Sequence, residues 1–179
     1  MLGRVYIWGT ALCIAAALLA FMATRHVIID QAPKRVMATI EGRIAQGAGG
    51  WNACFHNRTY GPRTNAARRA NPDSIISSMA YDLSDGPVRI KGETWHRYWS
   101  LSFYQQNSDN YYVINDQELP AKTFDFVLTL DPDLPADMAG TPIVSPTQKG
   151  IMLIRRFAAD AEDMPAILEN QDGLYCGPA

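Results

Sequence analysis

The sequence predicts a mainly β protein: an antiparallel β-sandwich or open barrel with flanking helices and one amino-terminal transmembrane helix. Three observations carry that expectation. About six short segments alternate apolar and polar residues or are rich in β-branched and aromatic types, with turn signals between them. Nothing repeats as strand, helix, strand, so a doubly wound nucleotide fold is not expected. Finally, Val5 to Ala23 is nineteen residues without a charge.

That apolar run, read as a helix, is about 28 Å long, close to the ~30 Å hydrocarbon core of a bilayer. Tyr6 and Trp8 lie near its start, where amphipathic rings favour the headgroup level. Arg4 precedes it and Arg25-His26 closes it. A cleaved signal peptide would end in a small-x-small site, whereas Phe21-Met22-Ala23 puts bulky residues there. Cys13 sits too deep in the run for a lipoprotein cysteine. A buried core helix rarely shows a wholly uncharged circumference. The run therefore reads as an uncleaved signal anchor over residues 1–25, inserted in lipid through residues 5–23. Charge alone does not orient it, because Arg4 stands against Arg25, Lys34 and Arg35. A run so near the amino terminus usually exports the chain beyond it.

Residues 26–50 read as a helical linker. Val36, Ile40 and Ile44 recur at spacing four, and Gly47, Gly49 and Gly50 end the helix. Residues 51–72 show no period and no acid, and they read as an irregular arm carrying Arg58, Arg63, Arg68 and Arg69. Strands are expected from Ser74 to Leu83 and from Pro87 to Lys91. Residues 98–115 form a hairpin turning at residues 107–110, with Trp99, Leu101 and Phe103 on one face. Phe124, Phe126, Leu128 and Leu130 alternate in the next strand. A Pro-rich connection runs from Pro132 to Pro146. Residues 150–157 form a final strand, apolar up to Arg155-Arg156, and Asp160 to Asn170 a short acidic helix. The domain proper spans residues 51–179.

Composition excludes several functions. Sixteen Lys and Arg against eighteen Asp and Glu exclude a nucleic-acid binder working by bulk positive charge. Without residues 1–25 the remainder holds 14 basic and 18 acidic side chains, with no general attraction to anionic lipid. Apolar residues at 47% exclude disorder. His26, His56 and His96 show no ligand spacing, so no metal is expected. Gly47-Ala48-Gly49-Gly50 lacks the Lys-Ser/Thr of a phosphate loop, so no nucleotide cofactor is expected. In an oxidising compartment Cys54 and Cys176 could form one disulfide; otherwise they are two unpaired thiols.

The stretch Asn71-Pro72-Asp73-Ser74-Ile75-Ile76-Ser77-Ser78-Met79-Ala80-Tyr81-Asp82-Leu83-Ser84-Asp85-Gly86-Pro87 resembles the domain of unknown function 1254 family. That family carries Asn-x-Asp-Ser/Thr, an aromatic, Ser, and then Asp-Leu-Ser-x-x-Pro. Arg97-Tyr98-Trp99-Ser100-Leu101 and Asn110 to Val113 are similar to its following hairpin. Ile76 stands where members often have Tyr, which alters any site that Tyr supports. The resemblance implies a β-rich fold and frequent pairing with a sister domain, the domain of unknown function 1214, here supplied by a separate protein. It implies no reaction.

The ligand-binding candidates are Arg69, Asn71, Asp73, Tyr98, Tyr104 and Asn110. Asp73 beside Arg69 would stay ionised and suit a cation or hydroxyl. Equally, Asn71-Pro72-Asp73-Ser74 fixes a turn through side-chain bonds to backbone N–H. The four arginines of the arm suit an anion or solvated ion pairs. Tyr98, Tyr104, Tyr111 and Tyr112, with Trp95 and Trp99, suit a pocket or simple cross-strand packing. Ser77 and Ser78 lack a nucleophile-elbow context. The expectation is a single-pass protein of a bacterial inner membrane with its carboxyl-terminal domain in the periplasm, non-catalytic and docked on a partner protein. The alternative is a small-molecule-binding domain or enzyme built on Asp73, Arg69 and an aromatic pocket.

Overall fold

The computed structural model describes residues 2–61, 71, 73–133 and 138–179. Arg63, Arg68, Arg69 and Pro72 lie outside the described residues. The chain begins with α1, Leu2–Arg25, and enters the domain with α2, Ala32–Ala48, between them passing through a π-helical turn at His26–Gln31. Both junctions keep right-handed helical dihedrals, so this is one continuous helix. Pro33 explains the π turn. It has no N–H to give to the carbonyl four residues back, and the wider turn accommodates it. His26 Nδ1 and Asp30 Oδ2 meet at 2.8 Å across that turn. The helix is long and apolar enough to cross a membrane, and none of its most apolar window is buried in the protein.

Nine strands among the described residues form two sheets. Sheet A has the order β1-β2-β8-β4-β5 and sheet B the order β7-β6-β3-β9. Sheet A holds β1 (Cys54–His56), β2 (Ser74–Asp82), β4 (Trp99–Gln105), β5 (Asn110–Asn115) and β8 (Lys149–Phe157). Sheet B holds β3 (Val88–Glu93), β6 (Thr123–Thr129), β7 (Thr141–Val144) and β9 (Tyr175–Pro178). All pairs are antiparallel except β6 with β7, which the Pro-rich connection makes parallel. The irregular arm and the Pro-rich connection thus each hold one short strand, β1 and β7, that the sequence pattern does not reveal.

The inner faces follow the period of two. Ile75, Met79 and Tyr81 of β2 face the same way as Met152 and Ile154 of β8 and Leu101 and Phe103 of β4. They meet Val88, Ile90, Phe124, Phe126 and Leu128 of sheet B in one core. Trp99 stacks on Phe124 with ring centroids 5.8 Å apart, and Tyr112 meets Phe126 edge-on at 6.2 Å. Gly150 lies opposite Tyr81. A Cβ there would collide with the Tyr81 hydroxyl and the Tyr104 carbonyl, so only glycine fits.

The disulfide is formed. Cys54 on β1 and Cys176 on β9 have Cα atoms 5.5 Å apart and tie the edges of the two sheets together across 122 residues. A short helix, α3 (Met164–Asp172), covers one end of the sandwich, with Ile167 and Gln171 fully buried beneath it. Helix α2 lies on the outer face of sheet A, mainly against β2 and β1. Its buried stripe is Met37, Glu41 and Ala45, rather than Val36, Ile40 and Ile44. Val36 is 58% exposed and Ile40 38%. The rotation follows from size: Ala45 lets the backbone approach, and Gly47 leaves room for the Phe55 ring, which a Cβ would meet at 2.8 Å. The helix ends at Gly49 in the left-handed conformation, with Gly50 N–H on the Ala45 carbonyl at 2.9 Å. Asn52 then brackets Asp82, its amide donating to the Asp82 carbonyl at 2.8 Å and its oxygen accepting the Asp82 N–H at 2.7 Å.

Replacing Cys54 and Cys176 together by Ser removes a loop closure worth about 5 kcal/mol. The urea midpoint of the sandwich, read by tryptophan fluorescence in detergent, is expected to fall clearly. A pH dependence is expected from Glu41, which is 4% exposed in the α2 interface with Oε1 unpaired among the described residues. Burial raises its pKa; Lys149 opposes the shift and Asp82 adds to it. The α2 contact is therefore strongest while Glu41 keeps its proton, and it weakens as pH rises through the raised value. The protection of the α2 amides, taken relative to intrinsic exchange at each pH, falls over that range in the natural protein, while Glu41→Gln flattens the dependence.

Candidate functional site

Strand β8 carries two consecutive arginines before its last residue, Phe157, and the pleat sends them to opposite faces of sheet A. Arg156 follows Met152 and Ile154 onto the inner face and is 1% exposed. No carboxylate pairs with it among the described residues. Its Nε donates to Asn170 Oδ1 at 2.5 Å and its Nη1 to Ser77 Oγ at 2.9 Å. Burial alone pulls its pKa down to about 10, so it stays charged at neutral pH.

Ser77 is the hub of this network. Its fully buried hydroxyl also receives Gln171 Nε2 at 3.3 Å and lies 2.9 Å from His56 Nδ1. Two donors fill the oxygen's lone pairs, so its single proton goes to His56 Nδ1. That fixes His56 as the neutral tautomer protonated on Nε2. Burial first, then Arg58 and Arg156, lower the His56 pKa, with Asp172 opposing, consistent with a neutral ring. Gln171 Nε2 also reaches the Asn57 carbonyl at 3.0 Å, and Asn170 Nδ2 the Glu93 carbonyl at 3.2 Å. The network therefore ties α3 to both sheets and to the chain after β1. The Ser77–His56 contact has the composition of a nucleophile and base. Yet the hydroxyl is walled in by Arg156 and Gln171, with no room for a substrate carbonyl.

A cleft of about 460 Å³ runs beside α3, lined chiefly by Glu93, Trp95, His96, Glu169 and Asn170. Trp95 meets His96 in a tilted contact with ring centroids 4.1 Å apart and donates its indole N–H to the Phe157 carbonyl at 2.8 Å. Asn170 closes the cleft's inner wall and separates it from Arg156.

Arg155 points outward. Its Nη1 donates to Ser102 Oγ at 3.2 Å and its Nη2 to Tyr104 OH at 3.3 Å. Burial alone would raise the Tyr104 pKa, but the hydrogen bonds from Arg155 and Asn110 outweigh it and lower the value.

The candidates from the sequence separate into two places. Tyr104 and Asn110 are register partners in the β4–β5 hairpin and meet beside Arg155. Asn71, Asp73 and Tyr98 lie at the opposite end of the strands. Asn71 Oδ1 accepts the Asp73 N–H at 3.0 Å, a turn-fixing contact. The Asp73 carbonyl accepts the Ala158 N–H, and the Tyr98 carbonyl the Phe157 N–H. The Tyr98 ring is 55% exposed. Arg69 lies outside the described residues. Tyr111 meets Tyr81 at 3.2 Å, both hydroxyls being raised in pKa chiefly by burial.

The buried network is not evident in the sequence, although one signal is present: by the count of two from Ile154, Arg156 falls on the core face. Replacing Asn170 by Ala removes the Nε acceptor of a buried cation. We expect a loss of about 2–3 kcal/mol and faster exchange of α3 amides, with β5 amides unchanged.

Similarity to known proteins bears on the whole sandwich. A family described as "Protein of unknown function (DUF1254)" matches residues 51–178. No curated protein matches the chain. Among solved structures, the VPA0106 protein from Vibrio parahaemolyticus is similar at 17% identity and a TM-score of 0.53, over 61% of this chain and 28% of that one. A putative uncharacterized protein from Burkholderia cenocepacia has 17% identity and a TM-score of 0.46, over 81% of this chain and 39% of that one. The chain thus spans under half the length of either structure. The first likeness concerns the fold alone. With the family match covering the whole sandwich, disulfide and buried network included, this chain belongs to the DUF1254 family.

Proposed function

We propose that the protein is a single-pass component of the inner membrane whose sandwich stands in the periplasm and docks on a partner protein. The observation that carries this reading is the unbroken helix from Leu2 to Ala48, apolar and unburied at one end and packed on sheet A at the other. A continuous helix holds the sandwich next to the bilayer instead of on a loose tether. The Cys54–Cys176 bridge supports an oxidising compartment.

The edges of the sheets support docking by strand addition. β7 carries Pro142 and β9 carries Pro178, and neither can donate at those positions. β1 has three residues and is tied by the disulfide. β5 has six residues, Asn110–Asn115, with no proline and no charge. Proteins usually blunt such an edge. We take β5 as the surface that receives an extended strand from the partner, a sister-domain protein being the first candidate.

A carboxyl-terminal reporter that works only outside the cytosol is expected to be active, and carbonate washing to leave the protein in the membrane. Activity confined to the cytosol would overturn the topology. Val113 is 48% exposed on β5. Val113→Lys is expected to reduce partner recovery in a detergent pull-down about tenfold, while tryptophan fluorescence reports an intact sandwich. Unchanged recovery would remove β5 as the docking edge.

A further inference from the structure

The five described arginines of the sandwich are stabilised in three different ways. Arg58, Arg89 and Arg97 each meet an aspartate, respectively Asp172, Asp125 and Asp163. Arg156 is sealed in the network under α3. Arg155 has neither arrangement. It is half-buried on the outer face of sheet A and, among the described residues, donates to the neutral hydroxyls of Ser102 and Tyr104. A guanidinium has five N–H donors. Its other donors have no acceptor among the described residues.

The surroundings are those of an anion site. Directly across from Arg155 in the register stand Ser100 on β4 and Ile76 on β2. Ser102 and Tyr104 come next on the same face of β4, and Asn110 pairs with Tyr104 from β5. Ser100 and Ser102 are buried beneath the guanidinium, whereas Tyr104 and Asn110 reach the surface and can donate to a ligand; none of the four carries a negative charge. The acid on that face of β2, Asp82, sits at the far end of the strand, paired with Lys149 at 2.9 Å. Helix α2 packs chiefly on β1 and β2. An Arg that faces no carboxylate among the described residues and has N–H groups to spare suits a carboxylate or phosphate.

We propose that Arg155, held from beneath by Ser102, forms with the Tyr104 hydroxyl and the amide of Asn110 a binding site for the oxyanion of a small soluble molecule. An anion docked on the guanidinium offsets the positive field that Tyr104 experiences. Binding is therefore linked to the phenol: the bound anion moves the Tyr104 titration to higher pH, and ionisation of Tyr104 weakens binding.

Inorganic phosphate and succinate, titrated separately into the full chain in nanodiscs of neutral phosphatidylcholine, test the site. At least one is expected to bind saturably, with Kd on the order of 1 mM. Arg155→Gln is expected to weaken binding about tenfold, or ~1.4 kcal/mol. Tyr104→Phe weakens it less, and Arg97→Gln leaves it unchanged. The phenolate absorbance assigned to Tyr104, by difference from Tyr104→Phe, shifts upward with saturating anion. Should Arg155→Gln not fold, the Tyr104 shift and Ser102→Ala decide. Failure of both probes to saturate the natural protein, or equal binding by Arg155→Gln with its fold intact, would overturn the proposal.

Discussion

Strand β8 is the element on which the rest depends. It is hydrogen-bonded along its length to β2 on one side and to β4 on the other. Its period of two therefore decides what the core receives. Met152 and Ile154 are inserted between the sheets, Gly150 makes room for Tyr81, and Arg156 is carried inside by the same alternation. A slip of one residue would expose Met152 and Ile154 and bury Arg155 without its hydroxyls. The polar network under α3 and the guanidinium on the outer face are two results of one register.

Burying Arg156 without a carboxylate is costly, and its neighbours answer that cost with hydrogen bonds. Ser77, Asn170, Gln171 and His56 come from β2, α3 and β1, so satisfying one cation organises three elements. The α3 end of the sandwich is therefore closed by polar specificity as well as by Ile167. Apolar area alone would hold a helix of nine residues weakly. The disulfide works at the side of the sandwich, where it ties the short edge strands β1 and β9 to each other.

Much of this architecture can be read from the chain. The long strands β4 and β6 show their inner faces in simple alternation, β2 and β8 are legible as strands but not by face, and the β4–β5 hairpin announces itself in its Asn-Ser-Asp-Asn turn. β1, β7 and β9 are invisible because three or four residues hold too little period, and two of them contain proline. They become strands because a neighbour offers an edge. The helical stripe of α2 is recognisable as a pattern, but which flank is buried depends on Gly47 and Phe55, eight residues apart. Tyr104 and Asn110 can be paired through the hairpin. Arg155 cannot be added to them, since it arrives from a strand more than forty residues later. The buried network has the same origin: His56, Ser77 and Arg156 meet through the pairing order of sheet A, and Asn170 and Gln171 join them only because α3 docks on the end of the sandwich.

The π turn at His26–Gln31 has a mechanical consequence. Because the helix does not break there, the sandwich is coupled to the apolar segment in rotation as well as in height. Each residue of an α-helix turns the chain by about 100° and raises it by ~1.5 Å. Removing a single residue between His26 and Gln31 would swing the sandwich by roughly that angle about the helix axis. The six-residue turn thus works as a phase setting, determining which side of the sandwich lines up with a given side of the apolar helix.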